Sequence, residues 1–390
     1  MKKLGLYLNV NPSGGGTFQY AQTIIDALNS LDKNVYEVEI AYANDEWKRI
    51  LTKYEFKSFL LKNASTGKFI SDLFMALFLP GSICRFLSRF FNPLARELIK
   101  KKCDVWIFPG QESISYQIPG KVISTIHDLM HKYEPRFPEV NSNFRYYIRE
   151  NRYKNIVKSC NTILVDSKIG KQHVIESYRP KDKVVAVLPF IAPKYIKNKN
   201  IRKDFDEVYK LPKKFIFYPA QFWPHKNHFN LFEAMKIIKK LSPDIFLVLS
   251  GGKNHYFRDI YSYVKKLDLL ENISFVGYIP DEDFRGFYKR ARALVMPTFF
   301  GPTNIPPLEA MATDCPIIIS DVYAMKEQSG EAALYFNPNS PDDIAEKIIM
   351  LWSDDKMYTD MSKKASERDE LNTQNIFNIR FKKIIDVCFE

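Results

Sequence analysis

Short apolar runs alternate with helical stretches along almost the whole chain, and this alternation limits the fold more than any other feature of the sequence. Parallel strands can be joined only through a crossover, and a helix is the usual crossover. In the first half an apolar run at residues 4–10 leads into Asn11-Pro12-Ser13-Gly14-Gly15-Gly16 and a helical stretch at 17–28. Strand, glycine loop and helix open a nucleotide-type α/β unit, in which the helix N-terminus points at a ligand. Further strands are expected at 35–41, 105–108, 122–126, 162–165 and 184–188. The pattern stops at 191–203, in a run rich in Lys, Asn and Pro that reads as a linker, and then restarts. Strands are expected at 215–218, 245–249, 273–276, 294–296 and 317–319, and helices at 229–240, 259–267, 281–291 and 306–312. Helices at 341–352, 356–370 and 373–388 close the chain. The reading is an α/β protein of two Rossmann-like domains, residues 1–195 and 196–372, followed by a terminal helix at 373–390.

A chain of 390 residues, 46% hydrophobic and 26% charged, has enough apolar surface for large cores, which excludes a mostly disordered protein. Its five cysteines are odd in number, far apart and without a CxxC pair, so neither a disulfide framework nor a cysteine metal site is expected. The first ten residues have too short an apolar run for a signal peptide and read as a buried strand; a cytoplasmic location follows. The charge is uneven. Residues 1–200 carry 31 Lys+Arg against 18 Asp+Glu, and residues 201–390 carry 26 against 27. A basic half beside a neutral one fits an anionic partner (nucleic acid, a membrane surface or a phosphorylated acceptor) as well as it fits a solubilising surface. The apolar stretch at 69–79, followed by Pro80-Gly81 and Arg85-Phe86-Leu87-Ser88-Arg89-Phe90-Phe91, is too short to span a bilayer. A core helix followed by an amphipathic one describes it better than an interfacial helix with arginines beside aromatics.

The most specific segment is Met296-Pro297-Thr298-Phe299-Phe300-Gly301-Pro302-Thr303-Asn304-Ile305-Pro306-Pro307-Leu308-Glu309-Ala310-Met311-Ala312, followed by Cys315-Pro316-Ile317-Ile318-Ile319-Ser320. Glu309 falls one turn into a helix whose N-terminus faces a loop. A carboxylate there can accept the ribose hydroxyls of a nucleotide while backbone N–H groups face its phosphates, or it can merely complement the helix dipole. The segment resembles the C-terminal signature of the retaining glycosyltransferases of family 4 (the group 1 glycosyltransferases). That signature reads Pro-Ser, Glu-Gly-Phe-Gly, Glu-Ala-Met-Ala, then Pro-Val and a strand ending in Ser. The family's first glutamate, a donor-sugar contact eight residues before the second, falls on Gly301. The resemblance implies that Thr303, Asn304 and Ile305 lie at the sugar instead.

Three other segments carry the same resemblance. Tyr218-Pro219-Ala220-Gln221-Phe222-Trp223-Pro224-His225-Lys226-Asn227 is similar to the loop in which the family places an arginine and a lysine against the leaving diphosphate. Lys226 falls on the lysine, and Gln221 replaces the arginine. A fixed cation lowers the barrier to a departure that builds negative charge. Ser124-Thr125-Ile126-His127-Asp128-Leu129 resembles a strand end from which His127 would reach the donor sugar; Asp128 would orient the loop or touch substrate, and a satisfied buried histidine is the competing reading. Gly15 and Gly16 correspond to the loop beneath the donor phosphate and acceptor, and Gly251, Gly277 and Tyr278 to the base-binding region. The likeness is diffuse in the first half and strong over about 215–345.

The resemblance implies the GT-B fold, two Rossmann-like domains facing a central cleft, with the acceptor on the first domain, the nucleotide on the second and the last helix packed back on the first. It implies a retaining hexosyltransferase acting from a nucleotide diphosphate-sugar on a glycan or polyprenyl-pyrophosphate-linked acceptor, in bacterial surface-polysaccharide assembly. The protein would be cytoplasmic, with peripheral attachment to the anionic inner face of the cell membrane as its only membrane contact. No metal or other cofactor is expected: no Asp-x-Asp follows a strand, and Asp281-Glu282-Asp283 opens a helix, where acids suit the dipole. A GT-B sugar-nucleotide epimerase, a basic nucleic-acid-binding protein and an inactive relative are the alternatives. Scattered basic residues weigh against nucleic acid as a partner.

Overall fold

The structure is a computed structural model that describes residues 1–11, 15–142 and 144–390. It divides into two compact units. One comprises Met1–Pro135, Val140–Phe190 and Gln374–Glu390, the other Arg136–Glu139 and Ile191–Thr373. Each is built on a parallel sheet with helical crossovers, so the fold is α/β.

The first unit holds β1 (Lys2–Leu8), β2 (Tyr36–Tyr42), β3 (Lys57–Leu60), β4 (Val105–Phe108), β5 (Lys121–Thr125), β6 (Thr162–Val165) and β7 (Val184–Val187). Their order is β3-β2-β1-β4-β5-β6-β7, with every pairing parallel. β4 and β6 are buried along their whole length, as strands covered on both faces must be. The edge strand β3, Lys-Ser-Phe-Leu, is mostly exposed and carries no apolar run for sequence reading to find. The helix Gln374–Val387 belongs to this unit. It buries Phe377, Phe381 and Ile385, one residue per turn along a single face, and Gln374 donates to the Thr23 carbonyl at 3.2 Å.

The second unit holds β8 (Ile216–Pro219), β9 (Leu247–Ser250), β10 (Ile273–Gly277), β11 (Ala293–Met296), β12 (Ile317–Ser320) and β13 (Ala333–Phe336). Their order is β10-β9-β8-β11-β12-β13, again all parallel. Strand order reverses between β8 and β11, so the loops that follow these two strands diverge and leave a crevice at the carboxyl edge of the sheet.

Two expectations change. Residues 191–203 are not a free linker, and the division falls at 190/191 rather than 195/196. Ile191, Ala192 and Ile196 are buried, and Arg285 donates to the Ile196 carbonyl at 2.7 Å. The charged residues between them masked these apolar anchors. The stretch 69–79 is a core helix on one face only. In the helix Ala64–Ala76 Phe74 and Met75 are buried beside Gly67 and Ser71, while Phe69 and Leu73 are exposed; in the following helix Gly81–Phe91 the buried residues are Gly81, Cys84 and Ser88, and Phe86, Phe90 and Phe91 are exposed.

Gly5 in β1 lies under the indole of Trp106 on β4. An added Cβ would sit 2.5 Å from the Trp106 ring, so replacement with alanine must displace a buried tryptophan. Gly5→Ala is expected to cost about 1–3 kcal/mol in urea unfolding.

Candidate functional site

The crevice between β8 and β11 is lined by the loop at 220–227 and the loop at 297–304. Asn227 adopts a left-handed conformation (φ 59°) that ends a short turn at Pro224–Lys226, and its side-chain amide donates to the carbonyls of Pro297 (2.9 Å) and Pro338 (2.8 Å). Tyr218, buried on β8, donates its hydroxyl to the Lys226 carbonyl at 2.8 Å. These three bonds fix the backbone on which Lys226 stands. Its ammonium donates to Asn304 Oδ1 at 3.3 Å, and among the described residues no carboxylate lies within ion-pair distance of it. Burial lowers the Lys226 pKa to about 8, with Glu139 opposing that shift from a distance.

Asn304 is held from both sides. Its N–H donates to Gln328 Oε1 (3.1 Å), its carbonyl accepts from Gln328 Nε2 (2.6 Å), and its side-chain amide donates to the Phe300 carbonyl (3.0 Å). Thr303 and Ile305 flank it, half-buried. Gly301 abuts Tyr323: a Cβ at 301 would lie 2.9 Å from the Tyr323 Cβ and 3.2 Å from its ring, so the space a side chain needs there is taken.

Glu309 sits on the helix Ile305–Met311, which begins with Ile305-Pro306-Pro307, where a missing N–H does no harm. Its carboxylate is buried and accepts two tyrosine hydroxyls: Tyr195 on Oε1, and Tyr288 on Oε2 at 2.7 Å. Burial raises its pKa to about 6, against the lowering effect of the two tyrosines.

The base-region glycines lie on the far side of β8. An added Cβ on Gly251 would fall 2.3 Å from the Ala220 carbonyl oxygen, and one on Gly252 would fall 3.4 Å from Gln221 Oε1. The turn after β9 therefore runs directly over the one after β8, with Gln221 between them. Gly277 follows an irregularity in the β9–β10 pairing at φ 75°, which favours glycine, and Tyr278 beside it is exposed.

The remaining expected residues belong to the first unit. Gly14 lies outside the described residues; Gly15 (φ 57°) caps the helix Gly16–Asn29, and its carbonyl accepts from Gln19. The His127 ring packs against Tyr20 and Phe190, with centroids at 5.4 and 5.5 Å. Burial lowers its pKa to about 4, with Asp128 and the Pro109 carbonyl opposing, so the ring is neutral at pH 7. Asp128 accepts from the Met130 N–H (2.9 Å) and pairs with Arg149 (3.8 Å), which ties it to its own loop.

Sequence reading missed four contributors. Tyr195 was hidden in the supposed linker, and Tyr288 in a helix of ordinary composition. Gln328 makes no motif. Glu139 lies in the first-half sequence, yet Arg136–Glu139 belongs to the second unit. Its carboxylate accepts the His225 N–H (3.3 Å) and faces His225 Nδ1 at 2.9 Å, and the His225 ring stacks on Phe300 at 4.0 Å. Phe137 packs on Phe299 and Phe300 (5.4 and 5.3 Å). The one available signal was Phe137-Pro138-Glu139, an apolar anchor beside an acid, and it is not a distinctive one.

Tyr288→Phe leaves one oxygen of a buried carboxylate without its donor. It is expected to lower stability at neutral pH by about 1–3 kcal/mol in urea unfolding, with a smaller loss once Glu309 is protonated below about pH 6.

Comparison with known proteins gives this geometry a family. The profile described as glycosyl transferases group 1 matches residues 200–368. The O-antigen chain mannosyltransferase RfbU of Salmonella typhimurium is 27% identical over 215 residues, 55% of this chain and 56% of that protein. The O-antigen chain mannosyltransferase B of Escherichia coli is 25% identical over 290 residues, 70% of this chain and 75% of that one. The match thus spans little more than half of the first relative. Among solved structures, Anabaena HepE in complex with UDP-glucose superposes with a TM-score of 0.74 at 13% identity, covering 99% of this chain and 100% of that one. The chain therefore has the GT-B fold and carries, over residues 200–368, a domain of the group 1 glycosyl transferases.

Proposed function

We propose that the protein is a hexosyltransferase that moves a sugar from a nucleotide diphosphate-sugar to a hydroxyl of a glycan or lipid-linked glycan, with retention of configuration, in bacterial surface-polysaccharide assembly. Two relatives named as O-antigen chain mannosyltransferases favour mannose as the sugar. The HepE structure with UDP-glucose favours a nucleotide-sugar donor. The observation that carries the reading is Lys226. A half-buried ammonium, set at the strand-order reversal and hydrogen-bonded to an amide oxygen instead of a carboxylate, is a standing site for an anion.

In this reading the diphosphate lies against Lys226 and Asn304, and the charge that grows as it departs is met by the ammonium. No metal is assigned a role. The ribose hydroxyls bond to Glu309, one of them in place of the Tyr195 hydroxyl. Neutral His127 donates to a sugar hydroxyl. Gly301 supplies no carboxylate to attack the anomeric carbon. The acceptor therefore enters on the face the diphosphate leaves, and a departing phosphate oxygen takes the acceptor's proton. Gln221, Gly251, Gly277 and Tyr278 are assigned to the base, Thr303 and Ile305 to the sugar, and Gly15, Gly16 and Asp128 to the acceptor side.

Melting the protein with UDP, GDP, dTDP, CDP and ADP and their sugars tests this reading. A ligand at a hundred times its Kd adds about 2.7 kcal/mol to the native state, and one nucleotide is expected to raise the melting temperature accordingly. Glu309→Ala and Lys226→Met should abolish that response. Lys226→Met should also stabilise the ligand-free protein at pH 7. The folded pKa of about 8 lies below the ordinary 10.5, so holding the charge opposes folding until pH rises through that interval. Nucleotide affinity should weaken above pH 8, as the ammonium is lost, and below pH 6, as Glu309 is protonated. A folded protein that answers to no nucleotide, or variants that answer as the parent does, would contradict the assignment.

A further inference from the structure

We propose that the helices Ala64–Ala76 and Gly81–Phe91 form a patch that seats the first unit in the interface of an anionic bilayer. The inference is independent of the donor-site reading. It rests on a second, outward apolar face. In the first helix Phe69 (69% exposed) and Leu73 line an outward stripe that runs on to Leu77 in the turn beyond it, and in the second Ile83, Phe86 (61%) and Phe90 (60%) do the same. The joining turn adds exposed Phe78. Phe86 and Phe90 lie edge to face at 5.5 Å, with Phe91 beside them, so the second helix carries an exposed aromatic cluster.

The inward faces join the core through Phe74, Met75 and Cys84 and are otherwise small and polar. Gln117 Oε1, buried beneath both helices, accepts from Ser71 (3.1 Å), Ser88 (2.8 Å) and Asn92 (3.0 Å), and Asn92 also reaches the Gly67 carbonyl (3.2 Å). At Gly67 a Cβ would meet the Leu94 Cβ at 2.1 Å, and at Gly81 the Ser159 hydroxyl at 2.5 Å. A helix whose outer face meets water carries polar residues there. These two helices pack apolar residues on the core and still expose a second set of large apolar side chains, which suits an outer face set against hydrocarbon.

Length and charge define the occupant. At 13 and 11 residues neither helix can cross a bilayer, and no helix among the described residues is long and apolar enough to do so. These helices would lie in the headgroup–acyl boundary. Residues 62–100 carry Lys62, Lys68, Arg85, Arg89, Arg96 and Lys100 against only Asp72 and Glu97, so the aromatic surface is framed by positive charge. That combination complements anionic lipid, where each basic residue near the surface adds to binding and salt weakens it.

The test is co-sedimentation of the full-length protein with phosphatidylcholine vesicles, with and without phosphatidylglycerol. The protein is expected to sediment with the anionic vesicles and far less with the neutral ones, and the triple variant Phe69→Ser, Phe86→Ser, Phe90→Ser to lose about tenfold or more of the binding. Lys68→Glu with Arg89→Glu should remove the preference for anionic lipid. All five positions are exposed, so the melting temperature should hold. Phe86→Trp gives a second readout that needs no truncation: its emission should shift to the blue on adding anionic vesicles. Absence of vesicle binding, equal binding by the triple variant or an unshifted tryptophan would overturn the proposal. So would a dimer in the parent that the triple variant dissolves, since the patch would then be covered by a second copy.

Discussion

The second unit is organised around one costly feature, a half-buried ammonium with no carboxylate bound to it among the described residues. Desolvating the Lys226 charge works against folding, and an adjacent acid would remove that cost by closing the site. The protein instead holds Glu139 one residue away, bonded to His225, where burial raises its pKa and the His225 bonds outweigh that and keep it below its ordinary value. The field of the carboxylate reaches Lys226, while its Oε1 is engaged by His225. Around this arrangement the two loops at the strand-order reversal are clamped by side chains acting on backbone: Asn227 on Pro297 and Pro338, Tyr218 on Lys226, Gln328 on Asn304.

The two positions at which the sequence departs from the resemblance have surroundings that suit the residues present. At 301, where the resemblance leads one to expect a glutamate, the space for a side chain is filled by Tyr323. At 221 a neutral amide lies between two turns that touch through Gly251 and Gly252, leaving Lys226 as the cation of that loop. Glu309 is kept, with both oxygens engaged by tyrosines, so its charge is supported before any ligand arrives.

Much of the architecture was legible because apolar runs and helical periods are local signals. The expected strands at 105–108 and 162–165 coincide with β4 and β6, and the other nine differ from the observed ones by one or two residues at an end. β3 escaped because it is an exposed edge, and β13 (Ala-Leu-Tyr-Phe) because it is a short run of mixed character. Lys226, Asn304 and Glu309 were visible as motif positions. Tyr195, Tyr288, Gln328 and Glu139 were not, since each acts through a contact distant in sequence; Tyr195 and Glu139 also stood in segments assigned to a linker and to the other half. The helix pair at 64–91 was legible only in part: Phe74 is in the core as a core helix requires, while Phe69, Phe86 and Phe90 face outward. Hydropathy reports how apolar a stretch is, and only packing reveals which face it turns to water.

The most direct test of the central claim is a crystal structure of the protein with the nucleoside diphosphate that stabilises it. The account predicts the diphosphate against Lys226 Nζ and Asn304, with ribose hydroxyls on Glu309 and the Tyr195 hydroxyl moved off that carboxylate. A nucleotide bound elsewhere, with Lys226 still joined only to Asn304 and Tyr195 still on Glu309, would contradict it.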